Sequence, residues 1–334
     1  MTTTVTPTGA SPLAVNPAVT AYVHMHHERG MIAHKVLPVI ATPKAEFEYY
    51  KWSKADAFHV PELRLGRTGQ ARRMEFEAER VVDKTEHYGL SDAVAAEDVD
   101  AAMNLASSPT NVGDPIEVAS LFLRRLLLLG LEVRVANAVF NSASYDNSMV
   151  QAVAAADRFS NDASDPWKLL QKAHDEMLSP PRAAVFGQDA WSAFRTHPSV
   201  LKAVNTTSGA DAGMASREAV AAVLEVDEVL VGRSRIAMSR EGQPLALKRA
   251  WGKSVAFISR PGARAGMGDD ATNVASMREP GFGFIAQYQP LTVLTGFMQD
   301  RGIKGVHKIT VRESCKEVIS GGDGYGYLFT SVTA

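Results

Sequence analysis

The chain has 334 residues, of which 46% are hydrophobic and 22% charged, with a formal net charge of −2. That composition supports a sizeable core and, at this length, roughly two domains, while a nearly neutral total gives no reason to expect a tight, sequence-independent grip on nucleic acid. The single cysteine, Cys315, rules out an intrachain disulfide and any multi-cysteine metal site, and fits a reducing compartment.

The N-terminus lacks the basic-then-apolar order of a secretory signal. The most apolar stretch, Leu126 to Leu131, is bounded by Arg125 and Glu132 and is far too short to span a bilayer, so a soluble protein is expected. Residues 1–20 are rich in Thr, Pro, Ala and Ser. Alone, such a tail is extended or disordered, and the cheapest way to hold it is against a neighbouring copy.

Lys44 to Trp52 alternates, with Phe47 and Tyr49 opposite Glu46, Glu48 and Tyr50. Arg73 to Val82 alternates again, with Met74, Phe76 and Ala78 on one face and Arg73, Glu75, Glu77 and Glu79 on the other. The linking segment carries Pro61, Gly66 and Gly69 with Arg64, Arg67 and Arg72. This pattern predicts a long two-stranded arm with an acidic stem and a basic tip. A lone ribbon is marginal in water, so its faces are expected to dock on another copy, with charge pairing setting register; the competing expectation is a hairpin packed on its own domain. The candidate contacts between copies are Trp52, Arg64, Arg67, Arg72, Arg73, Glu75, Glu77 and Glu79.

Residues 114–142 carry the strongest helix signal. Asp114 is placed to cap, Pro115 to open the first turn and Glu117 to complete a capping box. The body is apolar around most of its circumference and is therefore expected to be largely covered. From about 165 short elements alternate. Asp165-Pro166 opens a helix to Leu178, Arg182–Phe186 is a strand, Asp189 opens a helix to Thr196, and Ser216 caps one to Leu224. Asp227–Met238 and Val255–Ser259 read as strands, followed by strand-like runs at 282–298 and 303–319 that look like a sheet pairing back onto the long helix and arm.

Three constellations could carry chemistry. His24, His26, His27 and His34 offer imidazoles for a metal, but the zinc-protease pattern needs a histidine where Ile32 stands. The run Gly321 to Gly326 resembles a phosphate cradle, yet strand-like Tyr327-Leu328-Phe329 follows where a helix must begin, so a turn is expected. Basic residues cluster from Arg233 to Arg264 with Glu241 as the only acid, and could face nucleic acid or another subunit. No catalytic residue and no cofactor is implied.

The order of these parts, with Ala183–Arg235 as the most specific stretch (AAVFG, a Trp191 helix leading to His197-Pro198, then VLEVDEVLVGRSRI), resembles the α+β Hong Kong 97-like fold of tailed-bacteriophage major capsid proteins. The resemblance implies an N-terminal arm over 1–43, an extended loop over 44–90, a peripheral domain with a spine helix over 91–149, an axial domain over 150–260 and a returning peripheral sheet over 261–334. It also implies a homo-oligomer of pentamers and hexamers, packaged double-stranded DNA bound without sequence specificity, scaffold, portal and decoration proteins as further partners, assembly in the host bacterial cytoplasm and residence in the virion. Some relatives cross-link a loop lysine to a late asparagine. Lys51 and Lys54 suit that role, but Asn273 is the only asparagine after Asn205, so no such bond is expected. Two alternatives stand beside this reading: an encapsulin-like nanocompartment shell, and a cytosolic metal-dependent α/β enzyme built on the histidines.

Overall fold

The structure is a computed structural model and describes residues 13–26, 28, 30–52, 64, 78–104, 113–204, 213–239, 242–260 and 280–334. In chain order come β1 (Ala14–Val15), α1 (Pro17–Met25), α2 (Ala33–Val36), β2 (Val39–Ala41), β3 (Glu46–Trp52), β4 (Ala78–Lys84), β5 (Glu86–Ala95), α3 (Ala96–Asn104) and α4 (Pro115–Val139). There follow β6 (Val150–Ala152), α5 (Pro166–Glu176), β7 (Ala183–Gly187), α6 (Gln188–Phe194), α7 (Pro198–Val204), α8 (Arg217–Val223) and β8 (Glu228–Gly232). The chain continues through β9 (Arg235–Ala237), β10 (Leu247–Arg249), β11 (Val255–Ile258), β12 (Gly283–Met298), β13 (Val306–Ile319) and β14 (Gly326–Thr330).

Local chemistry sets the helix starts. Asp114 accepts from the Ile116 amide at 2.9 Å, Asp165 from Lys168 at 3.3 Å and Ser216 from Ala219 at 3.2 Å, each satisfying a donor that the first turn leaves open. Pro115 and Pro166 fill first-turn positions where a missing N–H costs nothing. At about 1.5 Å per residue, α4 runs roughly 37 Å and is the longest helix described.

Two five-stranded sheets organise the rest. The first has the order β1-β12-β13-β5, with β2 added parallel to β12. The second has the order β6-β14-β11-β7-β8. The strands β12 and β13 pair in the first sheet, whereas β14 crosses to the second sheet and lies between β6 and β11. The reason is the Gly321–Tyr325 turn, which redirects the chain after β13. The predicted strand Asp227–Met238 is interrupted at Arg233-Ser234, so β8 stays in the second sheet and β9 pairs with β10 as a separate ribbon. Gly232 sits at that break because a Cβ there would lie 2.1 Å from the Trp251 ring.

The long helix joins two cores. Its first half sends Leu123 and Leu127 into a cluster with Val19, Val23, Leu291, Val293, Ile309 and Val311. Its second half sends Leu131, Val135, Ala136 and Val139 into the larger cluster shared with the second sheet. Among the described residues, one side of α4 lacks the cover that its apolar sequence leads one to expect. Val118, Phe122 and Leu126, spaced four apart, are exposed along one side, Phe122 at 62%. The other side alone meets β13 and β5.

Beside the larger core, α4 buries a carboxylate. Glu132 is 1% exposed and accepts four hydrogen bonds: from the Ile32 and Ala33 amides, both at 2.5 Å, from Trp251 Nε1 at 2.5 Å and from Ser234 Oγ at 3.2 Å. The helix α2 has no side-chain cap of its own, so Glu132 caps it from another element. Burial pushes this carboxyl above its ordinary range, while the four donors pull the other way. The substitution Glu132→Gln is expected to destabilise the subunit by roughly 2–3 kcal/mol, because an amide –NH2 turned toward Trp251 meets a donor with no acceptor to offer. Urea unfolding of the wild-type and variant subunits measures the difference.

Candidate assembly surfaces

The described part of the predicted arm is an antiparallel ribbon. The strands β3 and β4 pair from Glu46↔Lys84 to Trp52↔Ala78 in one continuous register. As the alternation requires, Phe47 and Tyr49 point inward and are buried. They do not wait for a neighbour. Both meet Phe284 of β12 edge-on, at centroid distances of 6.3 and 5.8 Å, within a small core with Ile40, Ala286 and Val318. Lys316 of β13 adds a 2.7 Å ion pair with Asp83. The base of the ribbon thus belongs to a core of its own chain, where docking on another copy is the first expectation, because two aromatic rings at alternate positions suffice to seat it.

The predicted contact residues divide accordingly. Trp52 ends β3 opposite Ala78, Glu79 lies opposite Lys51 on β4 and is exposed, and Arg64 is exposed. Arg67, Arg72, Arg73, Glu75 and Glu77 lie outside the described residues, as does Lys54. On the ribbon's outer face Arg80 pairs with Glu48. In the N-terminal segment, β1 pairs with β12, while α1 packs on α4 and β12; residues 1–12 lie outside the described residues.

Two further surfaces escaped the sequence reading. The strand β5 pairs residue by residue with β13 from Glu86↔Cys315 to Ala95↔Val306 without a bulge, and among the described residues no strand covers its other edge. It carries no proline or lysine, the residues that usually blunt an exposed edge. At the turn between β12 and β13, Ile303 is 98% exposed between Arg301 and Lys304. Together with the open side of α4, these leave apolar groups and backbone donors facing outward on three elements. Large outward apolar groups of this kind mark interaction sites when they gather on one element.

The other sequence candidates resolve into ordinary structure. His24 Nε2 lies 2.9 Å from the Leu291 carbonyl, and His26 Nδ1 lies 3.1 Å from the Tyr22 carbonyl. Burial, with Arg124 nearby, lowers the pKa of His34; His27 lies outside the described residues. Among the described residues no group of three or more ligating side chains is placed to hold a metal ion. The glycine run is a turn, and a Cβ on Gly322 would sit 1.8 Å from the Ser144 carbonyl oxygen, so this glycine serves close packing. Within the basic stretch, Arg249 pairs with Asp189 at 2.9 Å and Arg260 with Glu228, which leaves a dispersed set of charges; Arg240 and Arg264 lie outside the described residues. Among the described residues no helix is long and apolar enough to cross a membrane.

No protein-family model matches the chain. It is 32% identical over 326 residues to the major capsid protein of Pseudomonas phage JBD67, an alignment covering 97% of this chain and 99% of the relative. Among solved structures, it is similar to a phage-related protein from Bordetella bronchiseptica RB50, with a TM-score of 0.70, 20% identity and coverage of 96% and 98% of the two chains. It is also similar to the capsid of the native GTA particle, with a TM-score of 0.50, 11% identity and 91% of each chain covered. These likenesses replace the metal-enzyme alternative with a structural role. The chain belongs to the phage major capsid proteins, has their α+β Hong Kong 97-like fold, and is a shell-building subunit of the virion capsid, not an enzyme.

Proposed function

We propose that copies of this chain assemble through pentamers and hexamers into an icosahedral phage head that encloses double-stranded DNA. The observation that carries the proposal is the outward apolar side of α4, on a helix whose opposite side is the backbone of the subunit's own core. A helix that is apolar on two sides has room for a second packing partner, and in a shell that partner is a sister subunit. The open edge of β5 supports the same reading, since a neighbouring strand can complete its backbone hydrogen bonds.

In this arrangement residues 1–43 act as an arm and 44–90 as a loop reaching over a neighbour. The spine helix lies within 91–149, the 150–260 block joined by β14 forms the capsomer centre, and the rest of 261–334 supplies the returning sheet. Trp52, Arg64, Arg67, Arg72, Arg73, Glu75, Glu77 and Glu79 make the contacts of that loop, where opposite charges set register more than affinity. The DNA is held without sequence specificity, and scaffold, portal and decoration proteins are the further partners such a head calls for.

Deleting residues 55–72 is expected to leave a folded subunit, by circular dichroism, that forms no stable shells in negative-stain micrographs; normal shells from the deletion would remove the loop from the assembly mechanism. Phe122→Ser is expected to change subunit stability by no more than about 0.5 kcal/mol while lowering the yield of shells. Particles treated with nuclease and then opened should release double-stranded DNA, whereas a peptide-tagged protein cargo in its place would mark a nanocompartment.

A further inference from the structure

Alternate residues of a strand share a face, so Glu313, Cys315 and Glu317 all point from β13 toward α4. They place two carboxyl groups and a thiol against a single guanidinium. Arg134 already has three neighbours: its Nε donates to Glu317 at 2.8 Å, one terminal nitrogen lies 3.6 Å from the Cys315 sulfur, and its plane rests 3.6 Å above the centre of the Tyr88 ring. Glu313 is 4% exposed, and its Oε1 has no hydrogen-bond partner among the described residues.

Among the described residues the neighbouring elements supply no second cation. On β5, Tyr88 stands opposite Glu313 and donates its hydroxyl to Glu86, which stands opposite Cys315. On β12, Gln287 and Ile285 stand opposite Cys315 and Glu317. Lys316 points to the other face of β13 and holds Asp83, with Glu86 at 4.0 Å. On α4, Glu132 is taken up by its own four donors.

We infer that the seat of α4 on β13 is a proton-controlled seam, closed when Glu313 is uncharged and loosened when Glu313 ionises. The guanidinium donates to Glu317; Glu313, buried beside it with a thiol as its donor, is costly enough to ionise that it binds a proton instead. In keeping with this, burial raises Glu313 above the ordinary carboxylate range, and burial with the two neighbouring glutamates pushes the Cys315 thiol up to about 12. The sign follows from linkage. An acid whose pKa is raised in the folded state contributes stability that is complete below its ordinary pKa and is lost as pH rises through the raised one. Alkaline conditions therefore loosen the seam under the longest helix, and acid conditions tighten it.

Cys315 is the only cysteine and is buried within the seam, so its labelling by a thiol reagent reports opening there. The full-length subunit is labelled between about pH 5 and pH 9, each rate being divided by that of the urea-unfolded chain at the same pH to cancel thiol ionisation. The normalised wild-type rate should rise about tenfold for each pKa unit by which Glu313 is displaced. Glu313→Gln, neutral at every pH, should stay at the acid-pH rate. Glu317→Gln frees Arg134 to pair with Glu313 and should move the rise to lower pH. A flat wild-type profile, or the wild-type rise persisting in Glu313→Gln, overturns the inference. The wild-type profile alone decides should either variant fail to fold.

Discussion

One buried carboxylate holds the molecule's parts in register. Glu132 lies 100 residues from Ile32, 102 from Ser234 and 119 from Trp251, yet all three meet its two oxygens. A buried charge is normally a liability. Here four donors occupy the places where water would bind, so the cost of removing water is largely offset. The geometry it imposes is specific: α2 must approach α4 end-on, and the loop before β11 must bring Trp251 beneath the break between β8 and β9. The two cores that α4 joins are apolar and without direction of their own. The polar group fixes how α2, α4 and the Trp251 loop meet.

The consequences spread along α4. Because the helix is pinned in its middle, its inner side is held against β13 and β5 while its outer side stays apolar and open. A solitary protein gains nothing from an exposed row of Val118, Phe122 and Leu126. A shell-building subunit does, since the same helix can serve its own core and a neighbour's contact at once. The ribbon follows a similar division, anchored at its base by Phe47 and Tyr49 on Phe284.

Elements defined by local chemistry were legible in the sequence. The caps at Asp114, Asp165 and Ser216 announced three helices, and the alternation of aromatic and acidic residues announced β3. Where neighbours decide, the sequence was silent. The strand β5 contains Gly89, Asp92 and three alanines or serines, poor strand formers that become a strand only because β13 lies alongside. The destination of β14 depends on a turn whose direction no pattern encodes. Glu132, Glu313 and Glu317 read as ordinary charges, because burial is a property of the fold. Of the predicted contact residues, only Trp52, Arg64 and Glu79 fall within the described residues, and the periodicity of α4 counts its apolar positions without saying what covers them.

The placing of β14 has a consequence for how the subunit is made. It is an interior strand of the second sheet, flanked by β6 and β11, and the ribosome delivers it after every other strand of that sheet. Until it arrives, β11 has an unfilled side and β6 has no sheet to join. The second sheet therefore closes only once β14 is in place, and contacts so distant in sequence form slowly.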